Sequence, residues 1–199
     1  MTKKAFFRDL ELEVIEGVYP PAEDSFLLAE CLTKVKAEPN QTALDLGSGS
    51  GIQGIILAKN GFQVLSADKS CQALKNTALN ARKLGLNNIK IKESDLFSNI
   101  EEKFDLIAFN PPYLPSNEIR FKELEAGKQG RKVIDAFLEE FPLHLKKSGV
   151  CFLLQSNLND LNKTLNKLGK KEFKAEIVGR KKLLFEELLI LKIKKKDLI

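Results

Sequence analysis

Short apolar runs alternate with longer amphipathic segments along most of the chain, and this alternation constrains the fold more than any other feature. The runs of strand length are TALDL (42–46), FQVLSAD (62–68), NIKIKE (88–93), FDLIAFN (104–110) and GVCFLLQS (149–156). Segments with helical periodicity follow or precede them, near 50–61, 71–85, 130–147 and 159–169. Alternating strands and helices predict a doubly wound α/β fold whose mostly parallel sheet is covered on both faces.

The C-terminal segment EFKAEIVGRKKLLFEELLILKIK (172–194) predicts two strands around a turn near Gly179. This hairpin would add an antiparallel edge to a seven-stranded, Rossmann-like sheet, in which NIKIKE is expected to form an edge strand. We expect a single domain over residues 1–199. Residues 1–40 would form an N-terminal extension of strand and helix, and residues 41–199 the Rossmann-like core.

The composition excludes several classes of protein. Hydrophobic residues make up 43% and charged residues 30% of the chain, which is neither a disordered nor a membrane-protein profile. The N-terminus has no apolar core typical of a signal peptide, so we expect a cytoplasmic protein. Three scattered cysteines (Cys31, Cys71, Cys151) and one histidine (His144) predict no metal site. The net charge of +5 is compatible with an RNA-rich partner but does not require direct nucleic-acid binding.

A glycine-rich turn, LDLGSGSGIQG (44–54), joins the first of these strands to the first of these helices. Gly49, Gly51 and Gly54 match the spacing G-x-G-x-x-G of dinucleotide-binding turns, which is a weak signal by itself. In open α/β sheets, ligands bind outside the carboxyl ends of the strands, and this turn lies at such an end.

Asp45 bears on which ligand the turn accepts. A carboxylate near the end of the strand would repel a pyrophosphate and favour a ligand with a cationic group. S-adenosylmethionine carries an ammonium and a sulfonium and has no phosphate. The alternative is that Asp45 only caps the following helix, because aspartate near a helix N-terminus is favourable anyway.

Two more acidic residues follow neighbouring strands. Asp68 comes about 20 residues after the turn, where an acidic side chain can accept hydrogen bonds from both ribose hydroxyls. Asp95 could accept a hydrogen bond from an adenine amino group, with Leu96 packing on the ring. The alternatives are a cap on the helix that starts after Ser70 and an ordinary loop aspartate.

The sequence FNPPY ends the fourth strand with Asn110, Pro111, Pro112 and Tyr113. An amide or aromatic amine is a poor nucleophile because its nitrogen lone pair is delocalised, so a transferase must hold its two N–H bonds. The Asn110 side-chain oxygen and the rigid Pro111 carbonyl could each accept one of them, and Tyr113 offers a flat face to a planar group. Orientation and desolvation would then supply most of the rate gain. The alternative is a simple tight turn.

The motifs DLGSGSG (45–51) and NPPY (110–113) together resemble the class I S-adenosylmethionine-dependent amino-methyltransferases. VYPPAEDSFLLAE (18–30) narrows the resemblance to the HemK-type release-factor glutamine methyltransferases, in the short form of archaea and eukaryotes. The resemblance implies N5-methylation of the glutamine in the GGQ loop of a class I translation termination factor. It implies cofactor contacts at Ser25, Asp45, Gly47, Gly49, Asp68, Asp95, Leu96 and Asn110. It implies substrate contacts at Asn110, Pro111, Pro112 and Tyr113.

The resemblance also implies a partner. The bacterial form carries a helical N-terminal domain that this chain has no room for, and the short form is similar to enzymes that work with a small zinc-binding activator subunit. Strand addition at the edge strand 89–93 could hold that subunit, although its lysines could instead protect the edge. Ala126 in AGKQGRK (126–132) replaces a glycine that is frequent in the family, which affects expectations for the substrate loop.

These motifs alone do not exclude other functions. NPPY also occurs in N6-adenine methyltransferases of DNA and RNA, although the chain has few aromatic residues for stacking a flipped base. A nicotinamide-dependent oxidoreductase is disfavoured by Asp45 and leaves NPPY unexplained. A non-catalytic cofactor-binding protein would not need the polar residues that the chemistry requires.

Overall fold

The computed structural model of the chain describes residues 2–113 and 131–196, which contain five α-helices and nine β-strands. The helices are Glu23–Leu32 (α1), Ile52–Lys59 (α2), Cys71–Lys83 (α3), Lys132–His144 (α4) and Leu161–Lys170 (α5). The strands are Thr2–Phe7 (β1), Leu10–Ile15 (β2), Thr42–Leu46 (β3), Gln63–Asp68 (β4), Ile89–Glu93 (β5), Phe104–Phe109 (β6), Leu145–Ser156 (β7), Phe173–Lys182 (β8) and Glu187–Lys195 (β9). The helix α1 begins at Glu23, and Glu23 and Asp24 lie in its first turn, where acidic side chains are favourable.

Seven strands form the main sheet in the order β5-β4-β3-β6-β7-β9-β8. The first five are parallel, and β9 runs antiparallel to both of its neighbours. The predicted α/β class, with a mostly parallel seven-stranded sheet and a C-terminal antiparallel hairpin, is confirmed. The position of β5 at one edge is confirmed as well.

The strand order reverses between β3 and β6, which lie side by side in the middle of the sheet. From β3 the chain continues outward through β4 to β5, whereas from β6 it continues the other way to β7. Leu46 and Phe109, the last residues of β3 and β6, are paired in register. The loops that leave these two strands therefore separate, and they open the crevice in which doubly wound sheets bind their ligands.

The turn predicted near Gly179 is wrong, because the chain turns between Lys182 and Glu187 instead. Gly179 lies inside β8 at a register shift against Ile190. A Cβ atom at this position would come within 2.8 Å of the Cys31 sulfur on α1. The glycine therefore allows α1 to approach the sheet closely, which is the other common reason for a glycine within a strand.

The helix expected to reach residue 147 ends at His144, and β7 begins at the next residue. Leu145 takes extended backbone angles and pairs with Phe104, so strand pairing ends the helix. The His144 ring stacks on Phe97 with the centroids 4.4 Å apart, which is a structural role.

The N-terminal strands β1 and β2 form a separate hairpin that two buried asparagines of α3 hold in place. The side-chain oxygens of Asn76 and Asn80 accept hydrogen bonds from the N–H groups of Ile15 and Glu13, at 2.6 Å and 2.8 Å. Both side-chain amides also donate to the Ser50 carbonyl in the glycine turn, at 3.3 Å and 2.9 Å. The hairpin and the turn are thus fixed by the same two side chains.

A chain of aromatic contacts joins β6 to α4. Phe109 is 2% exposed, and its ring lies 4.7 Å from that of Phe137, which in turn stacks on Phe97 and Phe141. Each such contact contributes about 0.5–1.5 kcal/mol beyond the burial of apolar area. Asn110 directly follows Phe109, so this packing fixes the backbone from which the Asn110 side chain projects.

Candidate functional site

Three glycines of the turn after β3 adopt backbone angles that favour glycine. The φ angles of Gly47, Gly49 and Gly51 are +67°, +53° and +85°. A Cβ atom at Gly51 would also lie 2.9 Å from the Thr77 methyl group on α3. The turn therefore requires glycine for its conformation and for its close contact with α3.

A cavity of about 410 Å³ opens beside this turn at the carboxyl ends of β3, β4 and β6. This volume lies within the range of small-molecule sites, about 300–1,000 Å³. The predicted residues that line it are Ser25, Gly47, Gly49, Asp68, Asp95, Leu96, Asn110, Pro111, Pro112 and Tyr113. The fold thus brings together residues from five separate stretches of the sequence.

Asp45 is the predicted residue that does not line the cavity. Its side chain is 1% exposed, and its Oδ2 accepts hydrogen bonds from the Gly54 N–H at 2.9 Å and from the Ser66 hydroxyl at 3.3 Å. Burial raises the pKa of Asp45 to about 7, against the opposing effect of these hydrogen bonds. This carboxyl group holds the first turn of α2, as the helix-cap alternative predicts, and its contact with a cationic ligand stays a prediction.

Asp68 connects the glycine turn to the start of α3. Its Oδ2 accepts a hydrogen bond from the Gly49 N–H at 3.0 Å, and its Oδ1 accepts one from the Ser70 N–H at 2.9 Å. Each carboxylate oxygen can accept more than one hydrogen bond, so these contacts leave acceptor capacity toward the cavity. Both predicted interpretations, a ligand contact and a helix cap, are compatible with this position.

The loop after β5 presents Asp95 and Leu96 at another part of the cavity wall. Leu96 has a φ of +47°, an unfavourable backbone angle for this residue type. The Ser94 hydroxyl compensates by donating to the Leu96 carbonyl at 2.8 Å, and the Ser98 hydroxyl accepts from the Asp95 N–H at 3.2 Å. The two serines therefore hold the loop in the conformation that lines the cavity.

The Asn110 side chain is fixed at one end and has an unused acceptor at the other. Its Nδ2 donates to Asp24 Oδ2 at 3.2 Å and lies 3.5 Å from the Ser25 hydroxyl. Its Oδ1 is buried and has no hydrogen-bond partner in the part of the chain that the structure describes. A buried acceptor without a partner is costly, so this atom is suited to a donor that arrives with a ligand.

Tyr113 is 8% exposed, and its backbone oxygen accepts a hydrogen bond from Asn159 Nδ2 at 2.9 Å. Burial raises the pKa of the Tyr113 phenol far above its usual value, and the nearby carboxylates of Asp24 and Glu186 raise it further. The phenol therefore stays neutral, and Tyr113 can act as a flat wall and a hydrogen-bonding group but not as an anionic base.

Several residues of the cavity wall were not predicted from the sequence. Asp24 belongs to the PAED segment (21–24), which the resemblance places over the methionine end of the cofactor, but its contact with Asn110 was not predicted. Gln53 is the polar residue in the otherwise apolar start of α2, and its Nε2 donates to the Ser25 carbonyl at 3.0 Å. Tyr19, which belongs to the motif VYPPAEDSFLLAE, also lines the cavity. The first turn of α4 lines it as well, and no local signal marked that turn.

Two further types of site were searched for in the described residues. In residues 2–113 and 131–196 there is no cluster of three or more metal-binding side chains. No helix in these ranges is long and apolar enough to cross a membrane. The substitution of Ala126 for a glycine falls outside the described residues.

Comparison with known proteins identifies the family. The methyltransferase small domain family matches residues 22–181. A Methanocaldococcus jannaschii protein with the provisional name protein N5-glutamine methyltransferase is 42% identical over 192 residues, which cover 92% of this chain and 94% of that protein. The release factor glutamine methyltransferase of Streptococcus pneumoniae is 33% identical over 75% of this chain, which spans only 58% of the bacterial protein.

A solved structure agrees with these relatives. A chain of the E. cuniculi Mtq2–Trm112 complex, described as responsible for methylation of the translation termination factor eRF1, is 27% identical to this chain. The match has a TM-score of 0.72 and covers 90% of this chain and 99% of that one. The chain therefore belongs to the methyltransferase small domain family, and its resemblance to the release-factor glutamine methyltransferases is confirmed.

Proposed function

We propose that this protein transfers a methyl group from S-adenosylmethionine to the side-chain nitrogen of the glutamine in the GGQ loop of a class I translation termination factor. The observation that carries the proposal is the buried Asn110 Oδ1, which has no partner among the described residues. The names of the relatives and the structural neighbour support the same substrate.

The cavity suits S-adenosylmethionine, which would supply an electrophilic methyl group from its sulfonium. At one end, Asp68 and Asp95 offer carboxylates for ribose hydroxyls and an adenine amino group, and Leu96 offers an apolar surface for the ring. Ser25 and the backbone of Gly47 and Gly49 line the section between these acids and Asn110. No cationic side chain is required in this section, because the ligand carries no phosphate.

Asn110 and Pro111 would orient the acceptor amide. The Asn110 Oδ1 accepts one N–H of the glutamine side chain, and the Pro111 carbonyl accepts the other. Asp24 keeps the Asn110 amide from rotating, since a rotated amide would present its NH2 group to the acceptor NH2 group. Proline fixes its own φ angle, so the second acceptor is also held in place.

Tyr113 would form one wall of the acceptor pocket as a neutral ring. Burial and the neighbouring carboxylates oppose its ionisation, so the phenol does not compete as a base. The arrangement therefore favours orientation of a weak nucleophile in a site with little water over general acid–base chemistry.

Mass spectrometry of the termination factor after incubation with the protein and S-adenosylmethionine tests this proposal. We expect one added methyl group on the GGQ glutamine, and none when that glutamine is replaced by asparagine. Parallel reactions with tritiated donor would offer tRNA and DNA. A label that enters adenine and leaves the glutamine unmodified would overturn the proposal.

We also propose that the protein acts in the cytoplasm, where translation terminates. We propose further that a small zinc-binding activator subunit binds it by strand pairing with β5. β5 pairs only with β4 among the described strands, so its other edge is available for strand addition. The end bonds of the β4–β5 pairing run from the Val64 N–H to the Asn88 carbonyl and from the Ser94 N–H to the Asp68 carbonyl. The backbone N–H and C=O groups of the even-numbered residues of β5 therefore point toward β4. The N–H groups of Ile91 and Glu93 point away from the sheet.

This geometry defines a matched pair of variants. Glu93→Pro removes an outward N–H at an exposed position, whereas Glu93→Ala keeps it. Co-expression with a candidate activator should raise the solubility of the wild-type protein and of Glu93→Ala, and Glu93→Pro should lose the complex in co-purification. The partner proposal fails if the isolated chain is fully soluble and active alone, or if Glu93→Pro retains the subunit.

A further inference from the structure

Three exposed apolar side chains lie in the turn between β8 and β9 and in the short helical turn bonded to the start of β9. We name these residues, Leu158, Leu184 and Phe185, the apolar rim. Leu184 and Phe185 are adjacent in the turn between β8 and β9 and are 86% and 87% exposed, the largest values among the large hydrophobic residues that the structure describes. Leu158 is 52% exposed. Neighbouring exposed apolar side chains are unusual at a tight turn and mark surfaces that another molecule covers.

The short helical turn Asn157–Asn159 joins the apolar rim to the proposed acceptor pocket. At one end, Asn159 Nδ2 donates to the Tyr113 carbonyl at 2.9 Å. At the other end, Asn157 Oδ1 accepts from the Glu187 N–H at 2.8 Å, at the start of β9. Leu158 lies between these two asparagines, so the rim and Tyr113 are held by one three-residue turn.

A second set of contacts ties the same hairpin to Asn110. Lys181 in β8 forms an ion pair with Glu23, the first residue of α1. The next residue, Asp24, accepts the hydrogen bond from Asn110 Nδ2. The hairpin tip is therefore positioned relative to both ends of the NPPY motif, although it is far from that motif in the sequence.

We propose that the apolar rim docks the folded protein substrate, through an apolar surface next to the loop that carries the acceptor glutamine. This inference rests on the proposed function. A rim connected to Tyr113 and Asn110 through these contacts would set the direction from which that loop enters the acceptor pocket. Docking would then help to orient the acceptor from outside the reacting atoms.

The charges around the rim favour a protein over a nucleic acid. Lys181 and Lys182 precede the turn and Glu186 and Glu187 follow it. Of the nearby cations, Arg180 is ion-paired with Glu187 and Lys181 with Glu23, so little positive charge is left unbalanced at the rim. A surface that binds a phosphate backbone would instead carry an excess of lysine and arginine. An apolar centre with a mixed polar border is the usual composition of a protein contact.

The double variant Leu184→Ser/Phe185→Ser tests the proposal, with Leu143→Ser as its matched control. Leu143 is 67% exposed near the far end of α4, roughly 16 Å along the helix from Lys132 at the cavity. We expect kcat/KM for the intact termination factor to fall at least tenfold in the double variant, mainly through KM. Activity on a short GGQ peptide and the cofactor affinity should stay within about twofold of wild type. The thermal unfolding temperature should change by no more than a few degrees.

Each alternative result has a distinct meaning. Unchanged kinetics with the intact factor, or an equal loss with the short peptide or with Leu143→Ser, overturns the docking role. A selective loss of binding to RNA or DNA would assign the rim to a nucleic acid and overturn the proposal as well. If the wild-type protein methylates no glutamine in either substrate, the proposed function itself fails, and the inference that rests on it falls with it.

Discussion

Asn110 and Asp24 are 86 positions apart in the chain and are joined by a hydrogen bond of 3.2 Å between Asn110 Nδ2 and Asp24 Oδ2. This contact decides which end of the asparagine amide is available to a ligand. Because the NH2 end is engaged by a buried carboxylate, the carbonyl end is left as the acceptor without a partner among the described residues. The polarity of the acceptor pocket is therefore set by a residue outside the NPPY motif.

The first prediction concerns Asn110. Asn110→Ala should lower kcat for methyl transfer by about 10²–10³-fold, the usual effect of removing one group that orients and polarises the reacting atoms. Cofactor affinity, measured by calorimetry, should change little, since other residues supply most of the cavity wall. Unchanged activity in this variant would refute the proposed role.

Asp24→Asn tests the orienting contact separately. The substitution keeps the size of the side chain but removes the charge that holds Asn110 Nδ2, so the amide can rotate. We expect kcat to fall about tenfold, with KM for the termination factor nearly constant. A loss of cofactor affinity with constant kcat would show that Asp24 contacts the cofactor instead.

Asp68→Ala should weaken binding of S-adenosylmethionine by about tenfold or more, since a hydrogen bond to a charged group contributes about 1.5–3 kcal/mol. Asp68 also accepts hydrogen bonds from Gly49 and Ser70, so the variant should lose some stability without ligand. Asp68→Asn serves as the control, because its single amide oxygen can keep one of these contacts. Equal cofactor affinity in wild type and Asp68→Ala would exclude the ribose contact.

Asp45 predicts a dependence of stability on pH. Burial raises its pKa to about 7, so the native state binds the proton more tightly than the unfolded state. Its contribution to stability is complete below pH 4 and is lost as the pH rises to about 7. Asp45→Asn should therefore be more stable than wild type at pH 8, by on the order of a few kcal/mol, and should lose this advantage at pH 4. Denaturant unfolding at both pH values measures the difference, and a constant difference would contradict the assignment.

Two glycines in helices should respond to alanine in opposite directions. A Cβ atom at Gly54 in α2 would lie 2.4 Å from the Ser66 hydroxyl and 2.8 Å from Asp45 Oδ2, so Gly54→Ala should destabilise the fold by about 1–3 kcal/mol. A Cβ atom at Gly169 in α5 would meet none of the described residues within 4 Å, and Gly169→Ala should stabilise by about 0.5–1 kcal/mol. Thermal unfolding compares the two variants with wild type. Stabilisation by Gly54→Ala would mean that α2 can move away from β3.

The periodicity of the sequence determined the alternation of strands and helices, the parallel sheet and the crevice at its carboxyl edge. These follow from local patterns, because side chains on a buried strand or an amphipathic helix must match the environment of that element. The carboxyl ends of parallel strands lie at the same edge of a sheet. The sequence therefore also predicted that the polar residues after these strands lie close together. Asp68, Asp95 and Asn110 were accessible to prediction in this way.

Only the tertiary structure decided where Asp45 points, what holds Asn110 and how the C-terminal hairpin meets the site. Asp45 turns toward Gly54 and Ser66 rather than the cavity, and Gly179 serves close packing rather than a turn. The contacts Asn110–Asp24 and Tyr113–Asn159 join residues that are distant in sequence. Local patterns report the environment of each segment but not which loops meet, since that depends on how the helices pack across the whole sheet.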